Sequence, residues 1–209
     1  MAFLAQINLA EAHAVEPRLR LPRQGLLSFF LGEGELMLGT ESSHRDAWRV
    51  VWSQPEQPLR RLTCSPAPQP YQACLLKFLK GGLALPDENS LAYADLDFDE
   101  KQKDDYNELL ARLSPQDAAD QLLGFPNLIQ GHPPELLCEM AAAGLDPWRA
   151  EEPSDDIRRS ATERGLLLQL TSNSEANFLW GDGGHLYFYG KRAAMEVGDF
   201  SQVWVAIES

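Results

Sequence analysis

Asp95, Asp97 and Asp99 alternate along the chain and run into Glu100, an order that imitates the start of a calcium loop. The imitation stops at Glu100, where the sharp turn needs glycine, and at Tyr106, where a bidentate glutamate is needed. An acidic lead-in to a helix is the simpler reading, since carboxylates suit the positive end of the helix dipole. His13, His44, His132 and His185 are scattered and form no H-x-x-x-H or H-E-x-x-H spacing. Cys64, Cys74 and Cys138 contain no C-x-x-C pair, so reduced thiols are expected rather than a disulfide framework or a zinc ribbon. A dyad of Cys64 with His44 is permitted by sequence distance but has no motif behind it. The chain has no G-x-S-x-G elbow, no phosphate loop and no G-x-G-x-x-G after a strand. Gly181-Asp182-Gly183-Gly184 lacks a following lysine and reads as a hairpin turn. No catalytic residue, metal ligand or cofactor-binding residue is therefore assigned, and no cofactor is expected.

Two further sets of residues have the right chemistry for binding. Gln6 and Gln169 sit in apolar strand-like segments, where a buried amide must find partners or cost a few kcal/mol. They are either tied to neighbouring backbone or face one pocket that holds a polar ligand. Trp148 lies in the loop Asp146-Pro147-Trp148-Arg149, within an acidic zone, where an exposed ring would anchor a partner and a folded-in ring would extend the core.

The elements that must position these residues change character along the chain. Strands are expected at 3–9, 25–31 and 48–52, with a polar loop up to Pro22 and stops at Gly32 and Gly34. Prolines between 53 and 70 leave room for an edge strand at most, around Leu59 to Cys64. Helices are expected at 71–79 with Leu75, Leu76 and Leu79 on one face and Gly81 as the stop, and at 100–113 with Tyr106, Leu109, Leu110 and Leu113 as a stripe. Ser114-Pro115-Gln116-Asp117 reads as a cap for a helix at 118–123. Another helix opens at Pro133 or Pro134 with Leu136, Leu137, Met140 and Ala141 inward, and a weaker one begins at Ser154. Strands return at 166–171, 178–180, 185–189 and 203–207. The fold class is α+β, internally duplicated, with mainly antiparallel N- and C-terminal sheet segments bracketing an α-helical middle. It is expected as a single domain over 1–209, divided into a first strand repeat (1–64), a helical insert (71–164) and a second strand repeat (165–209).

The duplication rests on three matches in the same order. Leu4-Ala5-Gln6-Ile7 resembles Leu167-Leu168-Gln169-Leu170, Gly25–Phe30 resembles Gly184–Tyr189, and Asp46 with Val50 is answered by Asp199 with Val203. Several of these residues also carry a family resemblance. Leu4–Asn8, Gly124-Phe125-Pro126 with Gln130, Leu167-Leu168-Gln169, Trp180–Gly184 with Leu186-Tyr187-Phe188, and Asp199-Phe200-Ser201 resemble the marks of the YwqG-like family of bacterial proteins. The resemblance implies a duplicated α+β fold and a cytoplasmic bacterial protein, and implies no activity. Members usually carry a further glycine- and proline-containing segment before the first of these strands, almost where this chain begins.

Composition bounds the function classes. The chain has 209 residues, 44% hydrophobic and 23% charged, the profile of a soluble globule. Its longest uncharged apolar run, Gly25 to Gly32, is far below the roughly 20 residues of a membrane-spanning helix, and its start lacks a basic and then apolar leader. A cytoplasmic protein that crosses no membrane is expected. The net charge is −13, and residues 95–156 hold sixteen acids against Lys101, Lys103, Arg112 and Arg149. One sign concentrated on one stretch repels nucleic acid and anionic lipid and favours a basic protein partner. The expectation is a non-enzymatic protein-binding module, with an immunity or antitoxin-like protein as its sharper form, docking through Asp95, Asp97, Asp99, Glu100, Asp104, Asp105 and Trp148. The alternative is a small-molecule-binding protein or hydrolase with a pocket between the two strand repeats near Gln6 and Gln169.

Overall fold

A computed structural model describes residues 1–32, 39–58, 60, 71–80, 85–113, 120–148 and 152–209. Strand β1 (Ala2–Asn8) runs into helix α1 (Leu9–Val15), and β2 (Leu26–Leu31) is followed by a 3₁₀ turn (Ser42–Ala47) and β3 (Trp48–Ser53). The middle holds α2 (Leu91–Ala94), α3 (Glu100–Leu113), β4 (Gln121–Leu122), α4 (Pro134–Ala142) and α5 (Asp155–Thr162). Strand β5 (Arg164–Thr171), β6 (His185–Lys191), α6 (Arg192–Glu196) and β7 (Trp204–Glu208) complete the order. The strands form two antiparallel sheets, β1-β2-β3 and β4-β5-β6-β7, so the fold is α+β with helices between the sheet segments.

The two sheets share a register. Gln6 pairs with Ser28 and Ala5 with Phe29; Gln169 pairs with Tyr187 and Leu168 with Phe188. Each first strand also carries one irregularity, between Phe3 and Ala5 and between Leu166 and Leu168, which leaves Leu4 and Leu167 as the extra residue of a bulge. The first two sequence matches are thus aligned residue for residue. The third is two residues out: Val50 pairs with Phe29 and Val205 with Phe188, so Val50 corresponds to Val205 rather than Val203.

Alternation decides which face each sheet buries. Ala5, Ile7, Leu27, Phe29 and Trp48 on one sheet and Leu168, Leu170, Leu186, Phe188 and Val205 on the other belong to a single core. Phe29 and Phe188, which hold equivalent positions, meet edge to face at 5.1 Å, and Trp48 and Trp204 do so at 4.9 Å. The Trp48 indole donates to the Val203 carbonyl at 2.9 Å and ties the seam. On the outer faces the halves differ. Gln6 and Val51 of the first sheet are exposed, whereas Gln169, Tyr187 and Ala206 of the second are buried.

Several expected elements differ. Residues 71–79 are not helical, and Leu75, Leu76 and Leu79 are exposed; a helix this short is marginal unless its stripe is buried. Gln121 and Leu122 form a strand instead of a helix, because Leu123 and Gly124 both have positive φ and the Gln121 amide donates to the Leu123 and Phe125 carbonyls at 2.7 and 2.8 Å. Among the described residues Phe178 makes only an isolated bridge with Asn173, and β6 pairs instead with β5 and β7. Helix α4 turns Pro134, Glu135, Cys138, Met140 and Ala141 inward and leaves Leu136 and Leu137 half-buried. Helices α1 and α6 are too short to give a periodic signal; α1 is announced by Asn8, whose side chain accepts from Ala10 N. Cys64 and most of the edge strand expected around it, Gly34, Gly81, the cap Ser114–Asp117, Ala118, Ala119 and Arg149 lie outside the described residues.

A buried ion cluster joins the helices to the second sheet. Arg164, 3% exposed, donates through Nε to Glu139 Oε2 at 2.6 Å and through Nη1 to the Gln202 carbonyl at 3.0 Å. Lys191 Nζ lies 3.2 Å from the same carboxylate oxygen, and Ser160 Oγ donates to Oε1 at 2.6 Å. Burial pushes the Glu139 carboxyl up, but the Ser160 hydrogen bond and the Arg164 charge outweigh it and hold the group below its usual range. Its contribution is therefore present above the ordinary carboxylate value and lost as pH falls through the lowered one. Glu139→Ala leaves buried Arg164 without its carboxylate and is expected to cost about 3–5 kcal/mol in urea unfolding; a midpoint equal to wild type would show that the cluster does not hold α4 in place.

Candidate functional site

The acidic residues singled out from sequence gather on one arm. Ser90 caps α2 by accepting from Tyr93 N at 3.2 Å. Asp99 then caps α3 reciprocally: its Oδ1 accepts from Gln102 N and its own N–H donates to Gln102 Oε1, both at 2.9 Å. Asp97 enters this turn at φ 48°, a conformation that Asp tolerates better than most residues. Tyr93, Phe98 and Tyr106 pack their rings together at 5.1 to 6.0 Å, and the Tyr106 hydroxyl donates to the Pro86 carbonyl at 2.8 Å. The arm is thus held by its own aromatics. All 14 residues of α3 escape full burial.

Asp95, Asp97, Asp99, Glu100, Asp104 and Asp105 are all exposed. Glu100 is paired with Lys103 at 2.7 Å, and Glu108 with Arg112. Asp95, Asp97, Asp104 and Asp105 form no ion pair among the described residues. Beside them Leu96, Leu109 and Leu113 are exposed, so the surface is acidic with apolar side chains set into it.

Trp148 is 54% exposed but stands elsewhere. It packs edge-on against His132 at 5.3 Å and borders a cavity of about 420 Å³ with Gln130, Leu137, Cys138 and Glu208. No hydrogen bond, ion pair or ring contact among the described residues joins it to the arm. Gln6 and Gln169 also do not meet. The Gln6 amide, exposed, donates to Ser28 Oγ at 3.0 Å, whereas Gln169 is fully buried and its Oε1 accepts from Asn127 N at 3.0 Å.

Beneath α4 lies a cluster that sequence reasoning missed. Glu208 Oε2 accepts from Ile129 N at 2.8 Å and Gln130 N at 3.3 Å, while the Tyr187 hydroxyl, 2.6 Å from the Asn127 carbonyl, is shared with it at 3.1 Å. Glu208 Oε1, Glu135 Oε2 and the Tyr189 hydroxyl are buried with no hydrogen-bond partner among the described residues. Burial pushes both carboxyls up, and it pushes the Tyr187 and Tyr189 hydroxyls up as well. It also raises the Cys138 thiol to about 12, which keeps it protonated and inert as a nucleophile. The signal for Glu208 was its position: an acid two residues from Ala206 on the same face of a buried strand.

Among the described residues no group of three or more His, Cys, Asp and Glu side chains is arranged to hold a metal. His13 Nε2 lies 3.2 Å from the Leu21 carbonyl, and His185 is buried beside the Tyr187 ring; the dyad of His44 with Cys64 lies partly outside the described residues. No helix among the described residues is long and apolar enough to cross a membrane.

A family model described as a domain of unknown function, DUF1963, matches residues 1–208. No curated protein matches the chain.

The orphaned carboxyl oxygens carry a stability consequence. A carboxyl raised in the folded state contributes fully below its ordinary value of 4.5 and loses that contribution as pH rises through the raised one. Glu135→Gln removes this loss and is expected to raise the thermal midpoint at pH 7 by roughly 2–4 °C, with no gain at pH 4. Equal shifts at the two pH values, read by calorimetry, would show that burial does not raise the Glu135 carboxyl.

Proposed function

We propose that this chain, which belongs to the DUF1963 family of unknown function, is a protein-binding module that docks a basic protein partner through the acidic arm at residues 90–113. The observation that carries this reading is α3 itself, an amphipathic helix of 14 residues without one buried side chain. Helices in globular proteins gain most of their stability by burying an apolar face, and this one leaves Leu109 and Leu113 partly exposed beside Asp104 and Asp105, which form no ion pair among the described residues. A partner with a cationic rim and an apolar centre complements that surface, and the unpaired carboxylates would speed encounter. The finer reading places the chain in the cytoplasm as a YwqG-like, immunity- or antitoxin-like protein that neutralises a cationic domain. It draws support from the concentration of acids in residues 95–156 and the motifs Trp180–Gly184 and Asp199–Ser201.

The arm is tested by replacing Asp95, Asp97, Asp104 and Asp105 together with Asn and comparing capture from lysate at about 0.05 M and about 0.5 M salt. Wild type is expected to retain a protein of basic composition at low salt, with roughly tenfold less at high salt and in the variant. Retention indifferent to both changes, or of acidic proteins only, would refute the assignment.

A further inference from the structure

A second cavity, independent of the acidic arm, has the opposite charge. A groove of about 400 Å³ runs along the free edge of β3, bordered by Arg45, Arg49 and Trp52 on one side and Gly198, Phe200 and Ser201 on the other. Among the described residues β3 has a single neighbour in its sheet, and the facing loop leads into β7 of the other sheet, so the groove follows the seam between the two. Its shape is fixed at both walls. Gly198 has φ 83°, and any Cβ there would overlap the Trp52 ring, whose Nε1 donates to the Gln24 carbonyl at 3.0 Å. The Trp48 indole closes the floor through its bond to Val203.

Among the described residues no carboxylate pairs with the charges in this groove. Arg45 donates to the neutral Ser201 carbonyl, and neither Arg45 nor Arg49 forms an ion pair among the described residues. Burial and then the Arg49 charge depress the Arg45 guanidinium, with Asp46 as the partial offset and Arg164 adding to the repulsion. Asp46 offsets the Arg45 charge without forming an ion pair among the described residues, and three other carboxylates are engaged elsewhere: Asp199 accepts from Ser201 N at 2.9 Å, Glu196 pairs with Arg20 at 2.8 Å and Glu139 with Arg164. Two guanidinium groups that repel each other in a chain of net charge −13 are stabilised by an anion between them.

We propose that the groove binds a small molecule with a carboxylate or phosphate head on an apolar body, Arg45 and Arg49 holding the head and Trp52 and Phe200 flanking the body. Guanidinium forks match both head groups, and a pocket of this volume with few convergent polar groups is of the size that encloses a small ligand. The site is distinct from the arm, and neither assignment depends on the other.

The test is calorimetric titration of the full chain with benzoate, phenyl phosphate and neutral benzamide at about 20 mM salt, where surface charge is least screened. Benzoate or phenyl phosphate is expected to bind and benzamide not, the preferred anion identifying the head group. Arg49 is exposed, so Arg49→Ala is expected to keep the wild-type circular dichroism and to weaken the anion roughly tenfold or more. Arg49→Lys is expected to recover part of the loss. No heat from either anion up to about 10 mM, or equal affinity in Arg49→Ala, would overturn the proposal.

Discussion

The Glu139 carboxylate is the point at which the helical segment and the second sheet become one structure. Its oxygens take Arg164 from β5, Lys191 from the end of β6 and Ser160 from α5, while Arg164 reaches on to the Gln202 carbonyl before β7. Each of these groups alone would resist leaving water; together they satisfy one another, and removing any one exposes the rest to that penalty. The cluster fixes where α4 lies on the sheet. That placement in turn buries Glu135 and Cys138 over Tyr189 and brings the segment 127–130 over Glu208.

From this follows the asymmetry between two sheets that share a register. The second sheet is covered on both sides, by the common core and by α4 with its flanking segment. Among the described residues the first packs on the core side alone, and its outer face shows Gln6, Val51 and the edge-to-face pair Phe3 and Phe30. Equivalent positions thus met different environments and hold different residues: Ser28 where the second sheet has Tyr187, Val51 where it has Ala206. Glu135, Glu208, Tyr187 and Tyr189, all raised by burial, belong to the covered side, and the arm and the groove lie apart from it.

The strands were legible because alternation is a local property, and the duplication was legible because equal alternation brings equal pairing. Gln6 and Gln169 were correctly seen as equivalents, but equivalence in sequence did not place them in one pocket, since their faces are covered differently. Two of the failures share one cause, the dependence of a helix on what it packs against. Leu75, Leu76 and Leu79 have helical spacing with nothing over them, and α4 buries Glu135 in preference to Leu136 because its tether through Glu139 sets the rotation. The acids of the arm were readable as a group from charge alone. The service of Asp99 as a helix cap was readable from Gln102 three residues on, and the separation of Trp148 from the arm was not readable at all.

The unpaired Leu4 and Leu167 act as a phase lock on each half. Sliding β1 or β5 by a single residue would drive Gln6 or Gln169 into the hydrocarbon interior and turn the leucines outward, and the bulge makes the correct alignment the one in which the extra residue has a place. Chain-length errors inside these strands therefore misplace a whole face at once, where a substitution alters one side chain. Of the two kinds of heritable change open to such a fold, substitution and indel, the second is confined to its loops.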